Sequence, residues 1–240
     1  LPVVYFPELY LAQWFHTSQQ ESISIWAFHK TGVQPLQANY QRLIEHLQID
    51  TILLIDGGID SLSRGNEAEP GTFVEDTVSM AALADLPSEI TRILVCIGFG
   101  AEREITHAHI LENLADLARR GAFLGACALT NAMPEYRAYE DAVMAVHQQP
   151  FQDPSVINAS IVSAVRGEYG NYHLTEKTHG SRLWISPLMT LYWFFDFPVV
   201  VAQHAILPAV KKTISFQDAI RKALAARQTL NIRRTSPIPL

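Results

Sequence analysis

The sequence predicts an α/β fold in three layers, a mostly parallel, Rossmann-like sheet with helices on both faces, followed by a less regular C-terminal third. Short aliphatic runs alternate along the chain with stretches whose apolar residues recur at helical spacing. Turn residues such as glycine, aspartate and asparagine follow these runs, as expected where strands end. Alternation of this kind favours right-handed crossovers between parallel strands.

The composition is that of a protein with a large interior. The chain has 240 residues, of which 48% are hydrophobic and only 18% are charged. This length and this small share of charge suit one extensive core or a subunit interface. We therefore expect a single domain over residues 1–240.

The first half of the chain predicts two strand–helix pairs. Polar and apolar residues alternate over residues 22–28, which indicates a strand, and residues 34–48 have the apolar spacing of a helix. The aliphatic run 51–55 predicts a strand that is buried on both faces, and residues 73–86 predict the next helix.

Two further cycles follow. The aliphatic run 92–97 predicts a strand before a helix over residues 102–120. Residues 122–129 predict another strand, and Pro134 can begin the helix after it because the first turn does not need its missing N–H.

The last third is less regular. Ser215 and Asp218 form a motif that resembles a capping box at the start of a helix over residues 216–228. We expect a loose tail over residues 229–240. The remaining predictions are a helix at 153–165, a polar loop at 167–180 and strands at 182–185 and 199–201.

Charge and cysteine content indicate the partners and the compartment. The net charge of −6 and the scattered basic residues disfavour nucleic acid as a partner. Cys96 and Cys127 lie in apolar runs, where cysteines are usually small buried side chains, so we expect a reducing cytoplasm. The apolar stretch 184–202 contains two prolines and Asp196, which disfavours a membrane span.

Polar residues follow the strand predicted at 51–55. Carboxyl ends of parallel strands are where ligands collect in such sheets. Asp56, Asp60 and Glu67 are candidate ligands of a divalent cation such as Mg²⁺. The candidate binding residues of this loop are Asp56, Gly57, Gly58, Asp60, Asn66 and Glu67. The alternative is an acidic turn exposed to solvent.

The next two strand ends supply further candidates. Gly98 and Gly100 can present backbone N–H groups to an anion such as a nucleotide phosphate, with Arg103 close in sequence. The third glycine of a dinucleotide fingerprint is missing, so a simple turn is the alternative. Thr130 and Asn131 could line the same cleft through neutral hydrogen-bonding groups.

Acid–base residues are present, but no complete catalytic motif is. Asp56, Glu67, Glu168 and His173 are the candidate catalytic residues, although polar loops commonly hold such side chains for solubility alone. The sequence contains no nucleophile elbow, Walker A loop, His-Glu-x-x-His or Cys-x-x-Cys. Serine hydrolases, P-loop ATPases, zincins and thiol redox enzymes are therefore disfavoured.

Several segments in consistent order resemble a known family. They are Asp-Gly-Gly-Ile-Asp at 56–60, Arg-Gly-Asn-Glu at 64–67, Glu-Asp-Thr at 75–77, Gly-Phe-Gly-Ala-Glu-Arg-Glu at 98–104, residues 121–126 and residues 186–196. Together they resemble the prokaryotic domain-of-unknown-function family DUF1152 over roughly residues 50–228. The resemblance implies a nucleotide-binding-like α/β architecture. Members usually begin with a glycine-rich turn after a first strand, and none precedes Ser22, so we expect that an upstream segment is missing.

Two functions are consistent with these observations. The first is an enzyme that acts on a small polar metabolite or a nucleotide-like ligand at the C-terminal edge of the sheet. The alternative is a non-catalytic ligand-binding or oligomeric assembly subunit. We expect a homo-oligomer that associates through residues 184–197, because the aromatic run 192–195 has no polar side.

Overall fold

A computed structural model describes residues 5–68, 73–101 and 107–234. The fold is mixed α/β, with a four-stranded sheet. Its contacts divide the chain into two compact units. Unit one contains residues 1–27, 98–101 and 128–191, and unit two contains residues 28–97, 102–127 and 192–240.

The sheet consists of β1 (Thr51–Asp56), β2 (Thr91–Cys96), β3 (Phe123–Ala128) and β4 (Leu191–Asp196), in the order β1-β2-β4-β3. β1 and β2 are parallel, and Asp56 lies opposite Cys96 in their register. β4 runs antiparallel to β2. The three strands predicted at 51–55, 92–97 and 122–129 are therefore present in one sheet.

The α/β class is confirmed, but the sheet is only partly parallel where a mostly parallel one was predicted, because β4 lies antiparallel next to β2. Periodicity did not reveal this strand, since the run Tyr-Trp-Phe-Phe has no polar residue to alternate with its apolar ones. The strand predicted at 199–201 is instead part of a helix, α7 (Phe197–Gln203). Asp196 caps that helix by accepting a hydrogen bond from the Val199 N–H at 3.3 Å.

β1 is partly buried on one face and exposed on the other, which corrects the prediction that both faces are covered. β1 lies at the edge of the sheet, and its Leu53 and Ile55 side chains are 53% and 60% exposed. β3 is the other edge strand, and its Cys127 is exposed, whereas Cys96 in β2 is buried as predicted. An aliphatic run alone does not tell whether a second layer covers it.

The described helices of unit two, besides α7, are α2 (Val33–Leu47), α3 (Phe73–Ala84), α4 (His107–Arg119), α8 (Leu207–Val210) and α9 (Phe216–Gln228). The predicted bounds of α9 are confirmed, and Ser215 caps it by accepting a hydrogen bond from the Asp218 N–H at 3.2 Å. Residues 102–106 of the helix predicted at 102–120 lie outside the described residues.

Unit one contains α1 (Pro7–Trp14), α5 (Pro134–His147) and α6 (Val156–Val165). Residues 22–28, all of them described, form no strand, which corrects the prediction made there from alternation. The strand predicted at 182–185 is reduced to a single bridge between Ile185 and Gly170. A short local pattern does not show whether a neighbouring strand is available, and a strand is stable only when it pairs with one.

No helix within the described ranges is both long enough and apolar enough to cross a membrane.

The burial of Phe195 in β4 gives a test of the fold. Phe195 is fully buried, and its ring centroid is 5.6 Å from that of Phe123. We expect Phe195→Ala to lower the free energy of unfolding by about 3–5 kcal/mol, because it leaves a cavity in the core. Urea denaturation would measure the loss.

Leu124→Ala in β3 is the control, since that side chain is 55% exposed in the same sheet. We expect it to change the free energy of unfolding by less than about 1 kcal/mol. Equal losses in the two variants would contradict the burial of Phe195 in the core.

Candidate functional site

Three aspartates of unit two converge at the carboxyl end of β1. Asp56 is the last residue of β1, Asp60 begins a short 3₁₀ helix (Asp60–Leu62), and Asp76 lies in the first turn of α3. One carboxylate oxygen from each residue lies within 4.8 Å of the others. The structure therefore brings Asp56 and Asp60 together, as the sequence predicted, and adds Asp76.

Local hydrogen bonds fold this loop back onto the strand end. The Ser61 N–H donates to Asp56 Oδ2 at 3.1 Å, and the Ser63 N–H donates to the Asp60 carbonyl at 2.9 Å. Gly57 and Gly58 form the bend between β1 and the 3₁₀ helix, and Gly58 is buried. This tight return holds Asp60 next to Asp56.

Burial and like charge act together on Asp56. Burial raises the pKa of the Asp56 carboxyl to about 6, with a further contribution from the charge of Asp60. Hydrogen bonds from Ser61 and Cys96 act in the opposite direction but do not offset this. The charged form of Asp56 is therefore less favourable in the folded protein than in water.

Cys96 lies directly beneath the cluster. Its Sγ atom is 3.9 Å from Asp56 Oδ2 and 3.3 Å from Ser61 Oγ. Burial raises the pKa of the Cys96 thiol well above its ordinary value, and the charge of Asp56 adds to this. The thiol therefore stays protonated at neutral pH, which disfavours a role as a nucleophile.

A cavity of about 320 Å³ opens beside the cluster. Its polar lining comes from Asp56, Ser61, Asp76 and Ser79, and its apolar lining includes Ile52, Leu54, Met80 and Leu94. Tyr40 and Ser79 also line a neighbouring cavity of about 280 Å³, which contains the Lys30–Glu75 ion pair. Both cavities lie in unit two.

Glu67, the third predicted cation ligand, lies in a different environment. Its buried carboxylate accepts the N–H groups of Arg64 and Gly65, each at 2.9 Å, and forms an ion pair with Arg233. Burial acts to raise the pKa of Glu67, but hydrogen bonds led by that from the Arg64 N–H, together with the charge of Arg233, lower it overall. These contacts are those of a structural carboxylate.

Asn66, another predicted ligand, contacts the C-terminal segment. Its Nδ2 donates to the Asn231 carbonyl at 3.3 Å, and its own carbonyl accepts the Arg233 N–H at 2.8 Å. Residues 229–240, predicted as a loose tail, thus begin with a hydrogen-bonded stretch, and residues 235–240 lie outside the described ranges.

Gly98, Gly100, Thr130 and Asn131, the described candidates at the other two strand ends, belong to unit one. Gly98 and Gly100 both have positive φ values, and the Ala101 N–H donates to the Gly98 carbonyl at 2.9 Å, which closes a tight turn. Thr130 and Asn131 are exposed in the turn before α5. Arg103 lies outside the described residues.

The candidate acid–base residues Glu168 and His173 also lie in unit one. Glu168 is half-buried, and its N–H donates to the Ser163 carbonyl at 3.0 Å after the end of α6. His173 Nδ1 lies 2.9 Å from Thr178 Oγ1 within the polar loop. The structure therefore assigns these two residues to a different unit from Asp56 and Glu67.

The site also contains three residues that were not among the predicted site residues: Ser61, Asp76 and Cys96. Asp76 belongs to a segment that resembles the family, but it gave no sign of a binding role, because acids are common in the first turn of a helix for electrostatic reasons alone. Its place beside Asp56 depends on the packing of α3, and that of Cys96 depends on the β1–β2 register. Neither is encoded in a local motif.

Comparison with known proteins identifies a family but no characterised relative. No curated protein and no solved structure matches the chain. One family model, described as "Protein of unknown function (DUF1152)", matches residues 11–231. The family that the motifs indicated is thereby confirmed: the chain belongs to DUF1152.

Proposed function

We propose that this chain is an enzyme that acts on a small polar metabolite or a nucleotide-like ligand, held through a divalent cation at Asp56, Asp60 and Asp76. The observation that carries the proposal is the convergence of three carboxylate oxygens within 4.8 Å at the carboxyl end of a strand. Such strand ends are where ligands bind in open α/β sheets.

The spacing of the oxygens suits one hard cation. Oxygens on opposite sides of an ion are about 4.2 Å apart for Mg²⁺ and about 4.8 Å apart for Ca²⁺, from their usual metal–oxygen distances. Three aspartates leave coordination positions for water or for phosphate or carboxylate oxygens of a ligand. The cation would also offset the repulsion that raises the pKa of Asp56.

The adjoining cavity limits the ligand. Its volume of about 320 Å³ lies at the lower end of the range for small-molecule sites. The aliphatic lining favours a ligand with an apolar or ring-shaped body whose anionic group reaches the aspartates. When bound, the cation would supply polarisation of a phosphate or carbonyl oxygen, and the chain itself would supply orientation and exclusion of water.

The proposal includes a three-layer, Rossmann-like arrangement around the site. The parallel pairing of β1 with β2 supports it, because that pairing brings the ends of both strands to one edge.

We also propose a reducing cytoplasm as the compartment, which the exposed, unpaired thiol of Cys127 supports.

The second candidate is a non-catalytic ligand-binding or assembly subunit. Leu53, Ile55 and Leu124 present more than half of their side-chain surface on the two edge strands, and Trp184 is 40% exposed. These surfaces support a homo-oligomer, since exposed apolar strands are usually covered by another chain. Catalysis would separate the candidates: an assembly subunit turns over no metabolite, with or without Mg²⁺.

Cation binding is the first test of the proposed function. We expect the protein to bind Mn²⁺, used as a probe of the Mg²⁺ site, in isothermal titration calorimetry at pH 7.5. Asp60→Asn and Asp76→Asn should each weaken binding at least tenfold, because each removes one negatively charged ligand.

Glu75→Gln is the matched control. It removes a carboxylate from the residue next to Asp76 on α3, where Glu75 pairs with the exposed Lys30. We expect its Mn²⁺ affinity to stay within twofold of the wild type. Absence of Mn²⁺ binding at millimolar concentration, or equal effects of Glu75→Gln and Asp76→Asn, would refute the cation site.

Stability of an Asp56 variant is the second test. Between the ordinary pKa of Asp and about 6, the folded carboxyl holds a proton that the unfolded chain has released. The stability associated with this proton is present at low pH and is lost as pH rises through about 6. Asp56→Asn, which cannot ionise, should escape that loss.

We therefore expect Asp56→Asn to be more stable than the wild type at pH 8 by about 1–3 kcal/mol, at 1.36 kcal/mol for each unit of pKa shift. At pH 4 the difference should largely disappear. Urea denaturation in EDTA would measure both values. A variant that is less stable than the wild type at pH 8 would show that the Asp56 carboxylate supports the fold.

A further inference from the structure

The 3₁₀ helix that carries Asp60 is anchored by Asn113 of α4. The buried Asn113 side chain donates from Nδ2 to the carbonyl of Leu62, the last residue of that helix, at 2.9 Å. Three-residue 3₁₀ helices are marginal alone, so an external hydrogen bond matters for their position. Asn113 thereby fixes the end of the segment that begins at Asp60.

The same amide connects this segment to Glu67. Asn113 Nδ2 also donates to Glu67 Oε1 at 3.1 Å. Because Glu67 further accepts the N–H groups of Arg64 and Gly65, both ends of the loop 62–67 are held by one buried amide and one buried carboxylate. A buried carboxylate requires such partners, since losing them would leave an uncompensated charge.

Arg233, near the C-terminus, completes the network. Its guanidinium pairs with Glu67 Oε1 through Nη2, and the same nitrogen donates to Asn113 Oδ1 at 3.1 Å. A planar guanidinium is suited to bridging two acceptors in this way. Arg227 on α9 reinforces the loop by donating to the carbonyls of Gly65, at 2.9 Å, and of Ala68, at 3.0 Å.

We propose that Asn113, Glu67 and Arg233 form a positioning triad that holds Asp60 in register with Asp56, so that the C-terminal segment controls cation affinity. The path is continuous from Arg233 to Asn113, to the Leu62 carbonyl, and to Ser61, whose N–H bonds Asp56. The inference rests on the proposed cation site. The three residues act through Asp60 and do not touch the cation.

The test combines Mn²⁺ affinity with backbone hydrogen exchange in the full-length protein. In Arg233→Met, we expect Mn²⁺ affinity to fall at least tenfold. In EDTA, exchange of the Leu62 and Ser63 amides should accelerate at least tenfold, because both N–H groups bond within the anchored turn. The Val95 amide in β2 should change by less than twofold.

Two further variants make the test specific. Arg233→Lys keeps the positive charge but loses the planar guanidinium. We expect its Mn²⁺ affinity and its Leu62 and Ser63 exchange rates to lie between those of the wild type and of Arg233→Met. If Arg233→Met does not fold, Arg233→Lys provides the test of the triad. Arg221→Met is the matched control, because it removes an exposed arginine that pairs with Asp218 on α9, and we expect no change in either measurement.

The outcomes separate the positioning role from general stability and from the proposed function. The triad would be overturned if Arg233→Met left both the Mn²⁺ affinity and the exchange rates of the Leu62 and Ser63 amides unchanged. It would also be overturned if the Val95 amide exchanged faster by the same factor as those two amides. If the wild type does not bind Mn²⁺, the proposed function fails, and the exchange of Leu62 and Ser63 still decides whether the triad fixes the Asp60 turn.

Discussion

The parallel pairing of β1 with β2 is the constraint on which the candidate site depends. Its register sets Asp56 opposite Cys96, so the last carboxylate of the edge strand lies over a buried thiol. The chain must then turn back at Gly57 and Gly58, which brings Asp60 and Ser61 onto the same strand end. A shift of one residue in the register of β1 would turn the Asp56 side chain to the opposite face of the sheet, away from Asp60 and Asp76.

Two acids in one loop show how differently the fold treats buried charge. Glu67 is paired with Arg233 and accepts several N–H groups, so its pKa lies below the ordinary value despite burial. The pKa of Asp56 is instead raised to about 6 by burial and by Asp60. The first arrangement is that of a structural anchor, and the second leaves a local electrostatic penalty in the folded protein.

Local patterns predicted the elements whose signals are contained in a short window. The strands β1, β2 and β3 and the capped helix α9 follow from aliphatic runs, turn residues and a Ser215 cap. β4 was missed as a sheet strand because an aromatic run specifies neither direction nor neighbours. Glu67 was predicted as a cation ligand from its place in the same polar loop. Its actual partner, Arg233, is 166 residues away in the sequence, so no local motif could reveal the ion pair. Asp56 and Asp60 could be predicted together because only the three residues 57–59 separate them in the sequence.

The contrast between Asp56 and Glu67 bears on function. Stability alone would favour replacing or pairing a carboxylate whose pKa is raised by burial and a neighbouring acid, as the fold has done for Glu67. Asp56 keeps its repulsive neighbour Asp60, and Asp76 approaches within the same 4.8 Å. Strongly shifted pKa values of this kind are typical of residues that meet a ligand. A divalent cation is the simplest species that could bind three carboxylates at once.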